Sequence, residues 1–425
     1  MRKIRLRRIR LRAIITAAAL SVTAGLVMMA APQGASAAGT VTYSATQTIP
    51  VPPASTYAGS GGGDGWAIAL SSNAVYNVFH HSSSLTVGCH LQSDGSPCWS
   101  PETITDGDGH QFATSGHPGL WLDQSTGKLY VYATRDDSTG GVVCIDTTEA
   151  ATNSDPFCGF TPLTAVGDAP DSGISGLSEP VLVGTKWYAV NYVSGSPASG
   201  DKNALLCFDL STLAACASQP FSLSFGAGDI SADTYPEPQA ASIGGLVIVA
   251  ATVDSGDQLS CFDPATDQTC AGSWPTNVSA YVSQYGAPFP LISSTGAVQG
   301  LCLPTGSDPC YDLSGASVAT PSGMTGAIPA TSGWNGQAFV LGPRVYVPDG
   351  NDNAVDCYDA STNASCANFP KIIPNLDLLY TVNPDPQRPT CVWVNSDNGS
   401  GQIQNFDAYT GGACGVRSGC SRPAS

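Results

Sequence analysis

CFDLSTLAAC, residues 207–216, recurs as CFDPATDQTC at 261–270 and as CYDASTNASC at 357–366. All three read C-aromatic-D-x-[SA]-T-x-x-x-C. Looser copies fill the rest of the chain: CHLQSDGSPC from Cys89, CIDTTEAATNSDPFC from Cys144, CYDLSG from Cys310 and NFDAYTGGAC from Asn405. The first positions of the phrase fall at 89, 144, 207, 261, 310, 357 and 405. A period near fifty residues is the mark of a propeller or another repeat array. The phrase itself reads as a hairpin. Its cysteine and aromatic end one strand, its Asp and Thr fold the turn through side-chain oxygens, and its second cysteine begins the return.

Outward from the phrase, each unit supplies further strands. In the second unit HPGLWLD, KLYVYATR, GVVCID and FCGFTPL are strands parted by STG and DDSTGG. Runs of β-branched and aromatic residues between Gly, Asp, Asn and Ser clusters are hairpin sequences, and no sustained 3.6-residue apolar period competes with them. The sequence therefore predicts an all-β propeller of seven four-stranded blades, within a range of six to eight. The last phrase leaves no room for an outer strand. Residues 40–51, TVTYSATQTIPV, are expected to supply it and close the ring, which removes an exposed edge.

Fifteen cysteines, all beyond residue 37, point to an oxidising compartment. The expected bridges join Cys89 to Cys98, Cys144 to Cys158, Cys207 to Cys216, Cys261 to Cys270, Cys302 to Cys310 and Cys357 to Cys366. Cys391, Cys414 and Cys420 are left with their pairing open. No C-x-x-C zinc spacing occurs. Seven bases in the first twelve residues, an apolar run from Ala13 to Ala31 and Ala35-Ser36-Ala37 form a signal-peptide pattern. The expected division is 1–37 signal peptide and 38–425 a single propeller domain, secreted or held at the cell surface, with no later membrane span. Removing that segment leaves nine bases against 33 acids, a balance that disfavours nucleic acid and anionic lipid as partners.

FDAYTGG, CFDLST and CYDAST resemble the D-x-x-T-G hairpin of quinoprotein-like (PQQ-like) β-propeller repeats. The paired cysteines and basic leader are similar to those of secreted repeat proteins of actinobacteria. The resemblance implies the fold and not the redox chemistry, because the tryptophan docking pattern and the cofactor acids are missing.

Candidate sites follow from the repeat register. His117-Pro118, Glu179-Pro180, Glu237-Pro238 and Ala287-Pro288 align at the start of first strands, and Asp64 before Gly65-Trp66 is the first unit's equivalent. Asp64, His117, Glu179 and Glu237 are thus expected to converge at the channel mouth as a ligand site. Glu179 and Glu237 are the candidates for general acid/base work. Calcium, the one cofactor the sequence suggests, has candidates in Asp349, Asn351 and Asp352, although the EF-hand spacing is absent. His80, His81 and His90 form the one histidine cluster, read as exposed strand residues. These features point first to a non-catalytic binding propeller for an extracellular glycan or surface protein, and second to a carbohydrate-active enzyme, a glycoside hydrolase or lyase, on the same fold.

Overall fold

The computed structural model describes residues 48–50, 64–80, 84–100, 102–114, 119–137, 139–152, 154–165, 178–191, 203–225, 230, 238–253, 256–278, 286–304, 309–329, 336–350, 352–373, 379–396 and 402–414. The signal-peptide segment, 1–37, lies outside them.

Seven antiparallel sheets succeed one another along the chain. Blade 1 runs through Asp64–Leu70, Ala74–His80, Leu85–Leu91 and Glu102–Ile104. Blade 2 runs through Leu120–Asp123, Lys128–Arg135, Thr139–Asp146 and Phe157–Ala165. Blade 3 begins with Val181–Val183, Lys186–Asn191 and Ala204–Asp209, blade 4 with Gln239–Ile243, Leu246–Val253 and Gly256–Asp263, and blade 6 with Phe339–Leu341, Arg344–Asp349 and Ala354–Asp359. Blade 5 is shorter: Phe289–Ile292, Val298–Cys302, Cys310–Asp312 and Ser317–Val318.

Ring closure follows the expectation. Thr48–Pro50 pairs with Gln402–Asp407, Thr48 opposite Gln404 and Pro50 opposite Gln402. Leu379–Asp385 and Arg388–Ser396 complete blade 7. The first blade-forming strand and the last three thus share a sheet, with Thr48–Pro50 as its outer strand.

One detail departs from the sequence reading. In blades 3, 4 and 6 the outer strand is not continuous. Ala214–Ala215 and Phe221–Ser222 pair separately with Ala204–Asp209, and blades 4 and 6 repeat the break. The second cysteine falls in the gap, its N–H donating to the carbonyl of the first: Cys216 to Cys207 at 3.0 Å, Cys366 to Cys357 at 2.9 Å. The bridge and a turn therefore replace ladder hydrogen bonds at the edge.

The core is divided the same way as the sheets. Seven buried apolar clusters each lie between two neighbouring blades, from Phe112 with Ile104 between blades 1 and 2 to Trp393 with Ile68 between blades 7 and 1. Fully burying one such side chain contributes about 1.5–3 kcal/mol, so these layers dominate the ring's stability. Side chains also tie neighbours to each other's backbone. Tyr132 OH donates to Trp187 O at 2.7 Å, and Tyr346 OH to Ala408 O at 2.8 Å.

Seven disulfides, one in each blade, include all six expected pairs. The open question is answered by Cys391–Cys414, and Cys420 lies outside the described residues. Asn405 stands where the other blades have their first cysteine. Its Oδ1 accepts the Cys414 N–H at 3.2 Å, while the sulfur reaches across to Cys391 on the adjacent strand.

Candidate functional site at the channel mouth

Antiparallel pairing gives every blade two ends. At one, the turn face, first strands run into second strands through tight links such as Gly184-Thr185, and the Asp-containing phrase turns the third strand into the fourth. Asp209 Oδ1 accepts from Ser211 N at 2.8 Å and Ser211 Oγ at 2.7 Å; Asp312 repeats this with Ser314 at 2.8 and 2.7 Å. These bonds stabilise the charged carboxylate. Asp123, Asp146, Asp209 and Asp312 all lie below the ordinary carboxyl range, foremost through hydrogen bonds from Thr126, Thr148, Ser211 and Ser314.

At the other end, the loop face, first strands begin and second strands finish. Here Glu179 precedes Val181–Val183 of blade 3, as the register predicts. Ser178 anchors the segment, its N–H donating to Val190 O and its Oγ accepting from Val190 N, both at 2.9 Å. Pro180 packs against blade 2 so closely that a Cβ on Gly119 would lie 2.0 Å from its Cγ. Glycine is therefore required beside the axis there.

A second residue, absent from the sequence reading, meets Glu179. Gln337 leads into Phe339–Leu341 of blade 6, and its Nε2 donates to Pro180 O at 3.2 Å. Blades 3 and 6 stand three apart in a ring of seven, so this contact spans the central channel. Gln337 also hydrogen-bonds the Glu179 carboxyl. Glu179 keeps some exposed surface as a residue, but its Oε2 is sealed from solvent and has no hydrogen-bond partner. Burial raises its carboxyl from 4.5 to about 8, and the Gln337 hydrogen bond offsets only part of that rise. At neutral pH the group is largely a protonated acid, able to donate one hydrogen bond and accept others.

The other expected members of the site fall outside what the structure describes. Asp64 pairs through its backbone with His80, and its side chain, like His117 and Glu237, lies outside the described residues. Asn351 and His81 do as well.

Asp349 is buried and Asp352 exposed. Asp352 N donates to Asp349 Oδ1 at 3.3 Å. Diagonal to Asp349 across the hairpin is Asp356, 2 % exposed, whose Oδ2 has no hydrogen-bond partner. Burial, then the charges of Asp349 and Asp352, raise the Asp356 carboxyl to about 7. The sequence reading missed Asp356 because it lies inside the strand AVDCYD, away from the polar loop. Among the described residues, no three His, Cys, Asp or Glu side chains stand together to hold a metal ion. His90 corrects another expectation. It is 3 % exposed, with Nδ1 3.1 Å from Gly95 O, and burial lowers its pKa. It fills a structural slot rather than a surface patch.

No protein-family model matches the chain, and no curated protein matches it. Among solved structures it is similar to the WD40 domain from Toxoplasma gondii coronin, at 8% identity and TM-score 0.49, covering 85% of this chain and 84% of that one. It is also similar to puromycin hydrolase, at 14% identity and TM-score 0.48, covering 90% and 57%. For the Dos1 propeller the values are 12% and 0.42, covering 79% and 75%. The seven-bladed assignment rests on the strand pairing itself. Among the described residues no helix is long and apolar enough to cross a membrane, and the seven bridges fit an oxidising compartment.

Proposed function

We propose that this chain is a secreted, non-catalytic binding propeller that holds an extracellular glycan at the loop-face mouth of its channel. One observation carries the reading: Glu179, on the axis and bridged to Gln337 of the opposite side, keeps a sealed oxygen without a partner. A buried polar group without a partner is costly, and a neutral polyhydroxyl ligand offers both the donors and the acceptors that a protonated carboxyl and an amide can use. Asp64, His117 and Glu237 are the proposed further contacts. A leader cleaved after Ala37 is part of the reading. Kinship of the turn phrase with PQQ-like repeats of actinobacterial type is proposed as a matter of fold only.

A thermal-shift screen of the mature chain against polysaccharides and their fragments, with chelator present, tests the site. A ligand bound only by the folded state raises the transition temperature by mass action. The expected result is a rise of several degrees with one glycan class, lost in Glu179→Ala. No rise with any glycan removes the glycan reading and leaves a surface protein as the partner to seek.

The raised carboxyl favours one second reading, a glycoside hydrolase or lyase with Glu179 as general acid. New reducing ends or unsaturated products from a bound glycan, abolished in Glu179→Gln while binding persists, would establish it. Binding without products supports the first reading.

A further inference from the structure

We infer that the loop-face mouth takes the free end of an uncharged glycan chain and that Gln337 sets both limits, a step that rests on the glycan reading above. The strand pairing carries the first limit, on charge. In blade 3 Val181 is opposite Tyr188, which is opposite Cys207. In blade 6 Phe339 is opposite Tyr346, which is opposite Cys357. Glu179 and Gln337 each stand two residues before this landmark, so the bridge across the channel joins the same position of two repeats. The same count gives Ala67 in blade 1, Gly119 in blade 2, Gln239 in blade 4 and Thr381 in blade 7. Glu179 is the one ionisable residue of these six.

The described bases lie elsewhere. Lys128, Lys186, Arg344 and Arg388 open second strands, at the turn face. Arg135 reaches the loop face but is held by Asp137 at 2.6 Å and stands 3.6 Å from Asp106. Lys371 belongs to an outer strand. An anionic sugar at the mouth therefore meets a neutral acid with no cation beside it, or an ionised one that repels it. Hydroxyl groups meet an acid and an amide that both donate and accept. Specificity here comes from exclusion as much as from attraction.

The bridge carries the second limit, on which part of the chain enters. Its acceptor side is fixed. Ser178 is pinned to Val190 by two hydrogen bonds of 2.9 Å, and Pro180 is wedged over blade 2, where a Cβ on Gly119 would lie 2.0 Å from Pro180 Cγ and 2.7 Å from Trp187 Cζ2. Gln337 Nε2 closes onto Pro180 O at 3.2 Å from the far side of the channel. The bridge thus floors the mouth at the level of Glu179, and no chain threads past it. A terminal sugar can descend to that floor, whereas an inner unit carries a neighbour on each side that the rim holds off. Turning the half-buried Gln337 amide from Pro180 to a ligand hydroxyl uncovers the sealed Glu179 oxygen beside it.

The test is a calorimetric titration of the mature chain with short and long cello-, manno- and malto-oligosaccharides, and with oligogalacturonides as the acidic counterpart. It is run at about pH 7.5, above the ordinary histidine range, so that His117 adds no charge. The expected result is one protein molecule bound per neutral chain whatever its length, with oligogalacturonides weaker by about tenfold or more. Gln337→Met keeps the side-chain volume and removes the amide. It should weaken neutral binding by about tenfold while the transition temperature of the unliganded protein stays near the wild-type value. Should that variant fail to fold, the wild-type stoichiometry and charge panel decide alone. Several protein molecules per long chain, equal binding of oligogalacturonides, or wild-type affinity in Gln337→Met overturns the end-on, uncharged ligand and leaves the glycan reading standing. No binding of any glycan removes both.

Discussion

On the turn face, Asp123, Asp146, Asp209 and Asp312 lie below the ordinary carboxyl range because backbone N–H groups and Ser or Thr hydroxyls point at them. On the loop face, Glu179 and Asp356 rise to about 8 and about 7 because burial removes water and supplies too few donors. The residue chemistry is the same and the consequence is opposite. Turn-face acids complete their own hairpins, and their hydrogen-bonding capacity is spent locally. Loop-face acids are left with oxygens that the chain itself does not satisfy. Titratable groups perturbed in this way are candidate functional sites in a fold that is otherwise locally consistent.

The largest effect expected from this contrast is on pH dependence. Between an unfolded value near 4.5 and a folded value of about 8, Glu179 keeps its proton in the folded state and releases it in the unfolded one. Stability therefore falls as pH rises through that window, by about 2–4 kcal/mol for this group. Asp356 acts in the same direction over a narrower range. Denaturant titrations from pH 5 to 8.5 should show the decline, and Glu179→Gln should flatten most of it. A variant with the wild-type slope would remove the contrast at Glu179. Turn-face acids have the reverse sign. Their stabilisation is present above their unfolded value and lost as pH falls through the lower folded one.

The next effect concerns the edge staples. The bridge Cys207–Cys216 closes a separation of nine residues, which the chain-entropy model values at about 2–3 kcal/mol. The double change Cys207→Ala and Cys216→Ala should lower stability by that amount in urea and leave any loop-face ligand affinity unchanged. A matching loss of affinity would show that the two faces are coupled.

Removing one turn acid is smaller. Asp209→Ala deletes the acceptor for Ser211 N and Ser211 Oγ and should cost about 1 kcal/mol, the usual range for an Asp cap. Smallest is a gain. Leu213, Asp267 and Asn363 occupy the seventh position of the phrase at φ of 53°, 53° and 51°. Asp and Asn tolerate that left-handed conformation better than Leu, and Leu213 is also exposed. Leu213→Asn should stabilise blade 3 by about 0.5–1 kcal/mol in the same urea assay. A loss would mean that Leu213 packs more usefully than its exposure suggests.

How much of this was legible depends on sequence distance. The hairpin phrase is read within ten residues, so its turn acids, its bridges and the repeat count follow from local spacing. Closure by residues 48–50 was legible because the seventh unit lacked a strand and one candidate strand was left over. The Cys391–Cys414 bridge was not, because it departs from the phrase and depends on which sulfurs neighbouring strands bring within reach. The Glu179 position was legible through its repeat register, but not its partner: Gln337 lies in another blade, and 157 residues separate it from Pro180.

The sequence by itself determined what nearest neighbours along the chain determine: strand and turn pattern, blade number, staples within hairpins, and an acidic, cysteine-rich character. Only the tertiary structure decided which oxygens lose water and which donors reach them. Asp349 and Asp352 are equal in the sequence of one loop, yet the fold buries the first beside Asp356 and leaves the second exposed. Desolvation depends on the surface brought in from the next blade, and no local pattern of residues encodes that distance.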